Sequence, residues 1–476
     1  MVPFYLKYLG IEAYGLIGFF ATLQALLQLL DFGFTPTLNR EIARSAASGS
    51  SHDAQNLLHT LAVLFWCFAG LIAVTIYGAS STIAVRWLHS KQLTPSELGN
   101  AVALMGLVVA ARWPIGLYQS ALIGSLRLTV ASTLNIGMVT LANVGAVAVL
   151  AFVSRTIDAF FLWQALVGLV YALAIRTAAW RVIGTRGARV FDVSQLRRVW
   201  RFSIGMGAVA ITSIIFTQMD KAILSKILTL EEFGHYMLAT VVVSGLYLVV
   251  SPVFNVVYPR FSSLVASDQI SKIVELYRTG TRAIGVILFP LAMLLVFFSR
   301  DLITAWTGDP HIASSVAPLI AFLAIGSALH GVMYFPYSLQ LAFGMTRLPL
   351  IINLVLMAAF VPVVLFLSLS YRALGGAMAW AALEAVYLVG GAWITHRYLL
   401  KGLGRAWLFG DVLLPFMGSV AMMAITRQAL EYFHFSTGVH LLFGICAAMS
   451  LAIVLVVTSP ALRSWAQATL RLPGVS

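Results

Sequence analysis

One guanidinium stands near the middle of an otherwise apolar run. Arg112 lies in AARWPIGLYQSALIG, too deep for its side chain to reach water easily at either end. Ionisable residues in such positions are costly and usually face a cavity. Pro114, two residues on, leaves a carbonyl without its helical partner, which marks a helix that bends. Two chemistries fit Arg112. Its forked donors suit phosphate oxygens, which makes it an anion-binding group in a central cavity. Alternatively it forms a structural ion pair with Asp31, Asp220 or Glu384.

Further polar groups interrupt other apolar runs. Asp31 stands in LLDFGFTP, where FGFTP loosens a helix end and suits a gate hinge. Asp220–Lys221 closes another run and reads as a structural pair, as snorkelling to the membrane interface, or as a substrate contact. Glu384, in AMAWAALEAVY, suits a proton or cation site, or a pairing with a nearby Arg or His. His330, in SALHGVMYF, could titrate during transport or rest as a satisfied core histidine. Gln24, Gln28, Gln218 and Gln340 offer amides that bind sugar hydroxyls or hold helices together.

Enzymatic constellations are missing. The sequence has no His-x-x-x-His or cysteine pair for a metal, no phosphate-binding Gly-x-x-x-x-Gly-Lys-Ser/Thr loop and no Gly-x-Ser-x-Gly elbow. No cofactor and no enzymatic activity are expected. Energy must come from an ion gradient, the membrane potential or the substrate gradient. Cys67 and Cys446 both lie in apolar runs, where buried packing is the expectation.

The elements that hold these groups follow from composition. Sixty per cent of the residues are apolar, ten per cent are charged and mean hydropathy is +0.93. Soluble domains carry about a quarter charged residues. The charges cluster and leave apolar runs of about 18–25 residues, each long enough to cross a bilayer as a helix. Spans are expected at 14–37, 57–79, 98–123, 129–153, 158–179, 202–225, 236–258, 281–303, 315–341, 349–369, 374–395, 410–430 and 438–459, with a stub at 2–8. The net charge of +13 lies between spans, where it serves topology rather than nucleic-acid binding.

Lys and Arg set the orientation. One set of alternating loops holds Arg40, Arg44, Arg127, Arg176, Arg181, Arg186, Arg189, Arg197, Arg198, Arg201, Arg260, Lys272, Arg278, Arg282, Arg347, Arg397, Lys401, Arg405, Arg463 and Arg471. The other holds Lys7, Arg86, Lys91, Arg155, Lys221, Lys226, Arg300, Arg372 and Arg427. Twenty against nine places the first set, and the C-terminus, in the cytoplasm. The longest loop, about 180–201, is cytoplasmic and basic. It reads as a topology anchor that binds lipid headgroups, or as a contact with a cytoplasmic enzyme.

A phrase recurs. LGIEAYGL (Leu9–Leu16) and LTLEEFGH (Leu228–His235) share Leu, Glu, an aromatic and Gly at a shift of 219. At a shift of 220, Gly124–Ser125–Leu126–Arg127 falls on Gly344–Met345–Thr346–Arg347. Six spans separate the copies, so orientation is kept and the repeat is parallel. Each phrase reads as an outer-face hairpin turn. Its Gly permits the turn, its Glu caps the following helix and its aromatic sits at the interface. The second copy follows a whole helix from about Phe202, whereas eight residues precede the first. About 15–20 residues of a first helix are therefore expected to be missing.

At full length the pattern resembles a known family. VPFYLKYLGIEAYGLIGFF with LLDFGFTPTLNREIAR, then RWPIGLYQSALIGSLR, FTQMDKAILSKILTLEEFGHYMLA, VVYPRFSSL, LITAWTGDP, PYSLQLAFGMTRLPLIINL and ALGGAMAWAALEAVYL are similar to Wzx-type oligosaccharide flippases. These belong to the multidrug/oligosaccharidyl-lipid/polysaccharide exporter superfamily. The likeness runs from the first residue to about 400.

The resemblance implies an all-α polytopic membrane protein. Two six-helix lobes form a V-shaped, MATE-like parallel pseudo-repeat, with a C-terminal helix pair and about fourteen helices in the full fold. The divisions would be 1–190, 191–400 and 401–476. It implies a bacterial inner-membrane flippase that moves undecaprenyl-pyrophosphate-linked repeat units to the outer leaflet for O-antigen, capsule or exopolysaccharide. Its partners would be that lipid-linked oligosaccharide, membrane lipids, and the polymerase and glycosyltransferases of the pathway. Carried over by position, Arg112, Arg127 and Arg347 would attract pyrophosphate, with Tyr118, Gln28, Gln340 and His330 as further contacts. Asp31, Asp220, Lys221 and Glu384 would couple or gate. A cation-coupled drug exporter of the same superfamily, or a membrane glycosyltransferase or polymerase, are the competing readings.

Overall fold

The computed structural model describes residues 1–48, 51–184, 191–433 and 435–458. Arg186, Arg189, Arg463 and Arg471 lie outside the described residues, as do the side chains of Arg198 and Arg201. The same is true of residues 185–190 of the loop at 180–201 and of the tail from 459.

Apolar runs without water force the backbone to satisfy itself, and the described residues answer with helices alone. Eleven helical stretches among them are long and apolar enough to cross a membrane. The chain is a polytopic all-α membrane protein. By packing it divides into two compact units, Met1–Gly234 and His235–Ser476.

The first unit contains eight complete helices and the start of a ninth. α1 (Val2–Leu27) is broken at Gly10, whose φ of 80° and ψ of 175° suit glycine alone. Its first turns bring Tyr5 against Phe160 and Asn143. α1 then tightens into a 3-10 turn over Gln28–Asp31 and stops where Phe32 and Gly33 turn left-handed. α2 (Phe34–Ser48) restarts at once. α3 (Ser51–Arg86) and α4 (Pro95–Arg112) follow, and Thr94 and Glu97 cap α4 reciprocally. Pro114 separates α4 from α5 (Ile115–Gly124), so the bend expected at that proline is present. α6 (Leu128–Phe152), α7 (Ile157–Ile183) and α8 (Val193–Ile227) complete the full helices. α9 (Leu230–Ser244) begins here and ends in the second unit.

The second unit continues with α10 (Tyr247–Ala266), α11 (Ile270–Thr307), α12 (Pro310–Ala342) and α13 (Arg347–Val386). The stretch Arg347–Tyr398 has 52 residues, enough for two crossings at 1.5 Å per residue. Arg372, at φ 55°, breaks it between the two expected spans. After the break Gly375 lies directly against the Leu367 carbonyl, which leaves no room for a Cβ. A π-helical turn (Tyr387–Gly391) leads into α14 (Ala392–Tyr398). α15 (Gly404–Ala406), a second π-helical turn (Trp407–Leu413), α16 (Leu414–Tyr432) and α17 (Thr437–Thr458) follow.

The repeated phrase does something other than expected. Gly15 and Gly234 are not turn residues; both sit inside helices and let α1 and α9 touch backbone to backbone. Tyr14 and Phe233 are 5% and 1% exposed, so they pack in the interior rather than at an interface. Glu12 does not cap its own helix. It is 3% exposed and accepts hydrogen bonds from Ser90 Oγ at 2.5 Å, Lys91 N at 3.0 Å and Gln92 N at 3.1 Å. In the second copy the capping falls to Glu232, which exchanges hydrogen bonds with Thr229.

The second repeat pair is also offset. Leu126 and Gly344 carry the left-handed turns, and Arg127 N and Met345 N reach back five residues. Gly124 instead packs against the Asn39 backbone. Cys67 and Cys446 are exposed free thiols on α3 and α17, not buried packing, because each helix turns that face outward.

Candidate functional site

A cavity of about 540 Å³ lies within the first unit, with polar side chains set into a largely apolar wall. α1 contributes Gln24, one turn before Gln28 at the start of the 3-10 segment. The broken segment adds Asp31, and α2 adds Thr35. α4 supplies Arg112, α5 supplies Gln119, α6 supplies Asn143, and α7 supplies Gly168 and Tyr171.

Arg112 is held by α7. Its guanidinium donates to Gln164 Oε1 and lies 5.9 Å from the Phe20 ring centre. Gln164 in turn donates to the Ala142 carbonyl at 3.4 Å. Gly168 is one turn beyond Gln164 on the same face, and a Cβ there would come within 3.0 Å of Arg112 Cγ. The sequence QALVG therefore provides both an acceptor for Arg112 and room for its stem. None of the three candidate carboxylates pairs with it. Asp31 accepts from Thr35 Oγ1 at 2.6 Å and from Thr35 N, which caps α2. Asp220 bonds Lys221 at 3.1 Å. Glu384 bonds His330 Nδ1 at 3.0 Å. Among the described residues Arg112 has no ionic partner, and it stands on the cavity wall tethered by the Gln164 amide.

The remaining candidates separate. Gln28 and Asp31 share the cavity with Arg112. Arg127 is exposed at the start of α6 and Arg347 at the start of α13; neither lines the cavity. Tyr118 is corrected to a core residue. It is 1% exposed, accepts from Trp66 Nε1 at 3.2 Å and packs among Phe34, Leu38 and Leu122. On the same helix Gly116 and Gln119 line the cavity, while Tyr118 faces the packed side. Gln340 is likewise buried, at 0% exposure, and donates to Thr395 Oγ1 at 2.6 Å, joining α12 to α14.

In the second unit the partly exposed His330 pairs with the fully buried Glu384. Glu384 Oε2 has no partner among the described residues. Tyr247, Tyr334, Trp380 and Tyr387 surround the imidazole at ring distances of 5.5–6.3 Å.

Sequence reasoning missed several participants. Gln164, Gln119 and Asn143 look like any helix-packing amides in a span. Asp411 was also missed. It is fully buried and takes bonds from Arg278 Nε at 2.7 Å and from Arg282. The 133 residues between Asp411 and Arg278 hide that pairing from any spacing argument.

Residues 7–316 match a family described as polysaccharide biosynthesis protein. A Shigella flexneri protein assigned by name to O-antigen transport is 21% identical over 381 residues, covering 78% of this chain and 87% of that protein. The teichuronic acid biosynthesis protein TuaB of Bacillus subtilis is 24% identical over 393 residues, covering 79% and 76%. Among solved structures, the lipid II flippase MurJ superposes with a TM-score of 0.65 at 12% identity, covering 94% of this chain and 96% of that one. An inward-facing MATE-family multidrug resistance transporter of the MOP superfamily gives 0.67 at 12% identity, covering 84% and 94%. These two likenesses show the fold alone.

Proposed function

The chain belongs to the polysaccharide biosynthesis protein family, and from that premise we propose that it is a flippase for lipid-linked oligosaccharide. The lipid would be undecaprenyl pyrophosphate and the unit an O-antigen, capsule or exopolysaccharide repeat. One observation carries this reading. A cavity among membrane-spanning helices holds a guanidinium that forms no ion pair with a described carboxylate, with amides and hydroxyls set into the same wall. Moving a pyrophosphate and sugars through hydrocarbon unaided is prohibitive. A cavity that offers a guanidinium and several amides, and opens alternately to each leaflet, removes that barrier. Arg112 would take the phosphate oxygens, while Gln24, Gln28, Gln119 and Asn143 would meet sugar hydroxyls. The break at Gln28–Gly33 would be the hinge, and the His330–Glu384 pair would carry the coupling proton or cation. The membrane would be the bacterial inner membrane, with the C-terminus in the cytoplasm. The wider partners would be the polymerase and glycosyltransferases of the same pathway.

The test is leaflet accessibility of a lipid-linked oligosaccharide in cells lacking the gene, with wild type or Arg112→Ala restored. The reading expects units to accumulate on the cytoplasmic side, wild type to clear them and Arg112→Ala to fail. Wild type that leaves their distribution unchanged while raising resistance to cationic drugs would overturn it in favour of a drug exporter.

A further inference from the structure

A second pocket, of about 590 Å³, lies in the second unit where α14 ends and α15 begins. Its wall changes character along its length. Arg397, Lys401 and Arg405 supply three exposed cations. Val389, Trp393 and Phe409 supply apolar surface that is 59%, 59% and 63% exposed, on segments that cross the membrane.

Among the described residues no carboxylate forms an ion pair with Arg397, Lys401 or Arg405. Asp411, six residues beyond Arg405, is occupied by Arg278 and Arg282. Arg397 lies 5.4 Å from the centre of the Trp393 ring, which holds the cation beside the apolar wall. A further signal is independent of these charges. His396 lines the pocket, is 4% exposed, and its Nε2 has no hydrogen-bond partner among the described residues. Packing fixes that imidazole between Trp407, at 5.1 Å, and Tyr277, at 5.6 Å. Trp407 Nε1 is itself satisfied by Thr281 Oγ1 at 3.0 Å, whereas the Tyr277 hydroxyl, like His396 Nε2, has no partner among the described residues.

Three unpaired cations and an unsatisfied buried imidazole at one end of an apolar wall match one ligand class. We infer that this pocket is a binding site for an anionic phospholipid. Its phosphate sits among Arg397, Lys401, Arg405 and His396, and its acyl chains run along Val389, Trp393 and Phe409. Basic pockets between helices at a membrane surface hold such headgroups, at about 1 kcal/mol for each Lys or Arg. A soluble phosphate compound would gain nothing from the exposed apolar wall, so the lipid is the favoured source of the phosphate. The site is separate from the cavity around Arg112 and does not depend on which molecule is flipped.

The experiment uses the full-length protein in nanodiscs of phosphatidylcholine with a minor fraction of phosphatidylglycerol. Lipids that remain bound after detergent transfer are counted by native mass spectrometry. Wild type is expected to retain phosphatidylglycerol, and R397Q/K401Q/R405Q to lose roughly tenfold or more of it at about 1 kcal/mol per removed charge. Retained phosphatidylcholine should not change. All three side chains are exposed, so the triple variant leaves the core intact. His396→Phe, which keeps the ring packing but removes the nitrogen, should lower retention by a smaller factor. Equal retention of phosphatidylglycerol by wild type and the triple variant overturns the inference. Complete displacement by millimolar glycerol 3-phosphate overturns it too, because a soluble phosphate would then suffice. Displacement by undecaprenyl phosphate at equal mole fraction would reassign the pocket to the transported lipid.

Discussion

Gly15 of α1 and Gly234 of α9 lie against each other with no space for a side chain. A Cβ on Gly15 would run into the Leu230 carbonyl, and one on Gly234 would meet Ile11 O and come within 3.2 Å of Gly15 N. Around this crossing the loop at 89–92 grips both helices. Glu12 accepts its backbone amides, Leu230 N donates to His89 O at 2.8 Å, and Lys91 pairs with Glu231 at 3.5 Å. The 219-residue repeat in the sequence is thus a pair of surfaces that touch.

Either glycine replaced by leucine must separate the helices. Gly15→Leu and Gly234→Leu are each expected to cost about 1–3 kcal/mol, the range for overpacking a tight contact. The thermal unfolding midpoint of the purified protein in detergent checks this. Gly137→Leu, at a position with open space around its Cβ, should leave the midpoint unchanged.

Glu12→Ala removes the acceptor for three donors in the 90–92 loop, two of them backbone amides. The expected loss is about 1–3 kcal/mol for donors left unsatisfied. Glu12→Gln keeps one acceptor oxygen and should lose less. The same unfolding assay ranks the two, and equal losses would mean that the loop is not held by this carboxylate.

Arg112→Ala is expected to lower flipping more than tenfold, in line with about 1.5–3 kcal/mol for a charged hydrogen bond. Arg112→Lys should recover only part of this, since an ammonium lacks the planar fork. Gln164→Leu leaves the cation in place but removes its tether, so its effect should be intermediate. Initial rates in vesicles loaded with lipid-linked oligosaccharide give the order.

Glu384→Gln should uncouple transport from an imposed ion gradient while leaving downhill movement. Glu384→Ala alone strands His330 beside an uncompensated site and should unfold more readily than the double variant His330→Leu/Glu384→Met. A double-mutant cycle that shows no coupling energy would remove the pair from both roles.

Asp411→Ala leaves Arg278 and Arg282 without their counter-ion. Breaking a buried pair costs about 3–5 kcal/mol. Both arginines are about a third exposed, at 34% and 30%, so solvent screening brings the expected loss to the low end. Asp411→Asn should lose less, and the unfolding midpoint separates them.

Composition alone determined that this chain lives in a membrane and crosses it as helices, because apolar runs without water leave the backbone no other way to bond. Prolines and glycines also placed the bends in advance. Pro114 marked the break after Arg112, and FGFTP marked the break after Asp31, since both effects act within a few residues of their cause. Family membership was likewise legible along the chain.

Contacts were not. The sequence left Arg112 open between an anion site and an ion pair with one of three acids. Only the tertiary structure showed those acids engaged with Thr35, Lys221 and His330, and Gln164 holding the guanidinium. Tyr118 sits in the same bent stretch as Arg112 yet faces the core, because a helix turns 100° per residue and spacing does not reveal which side is packed. Glu12 looked like a cap for its own helix and proved to hold a loop some eighty residues away. Local rules decide where a chain bends and where it stays apolar. Which polar group meets which is settled only when distant helices come together.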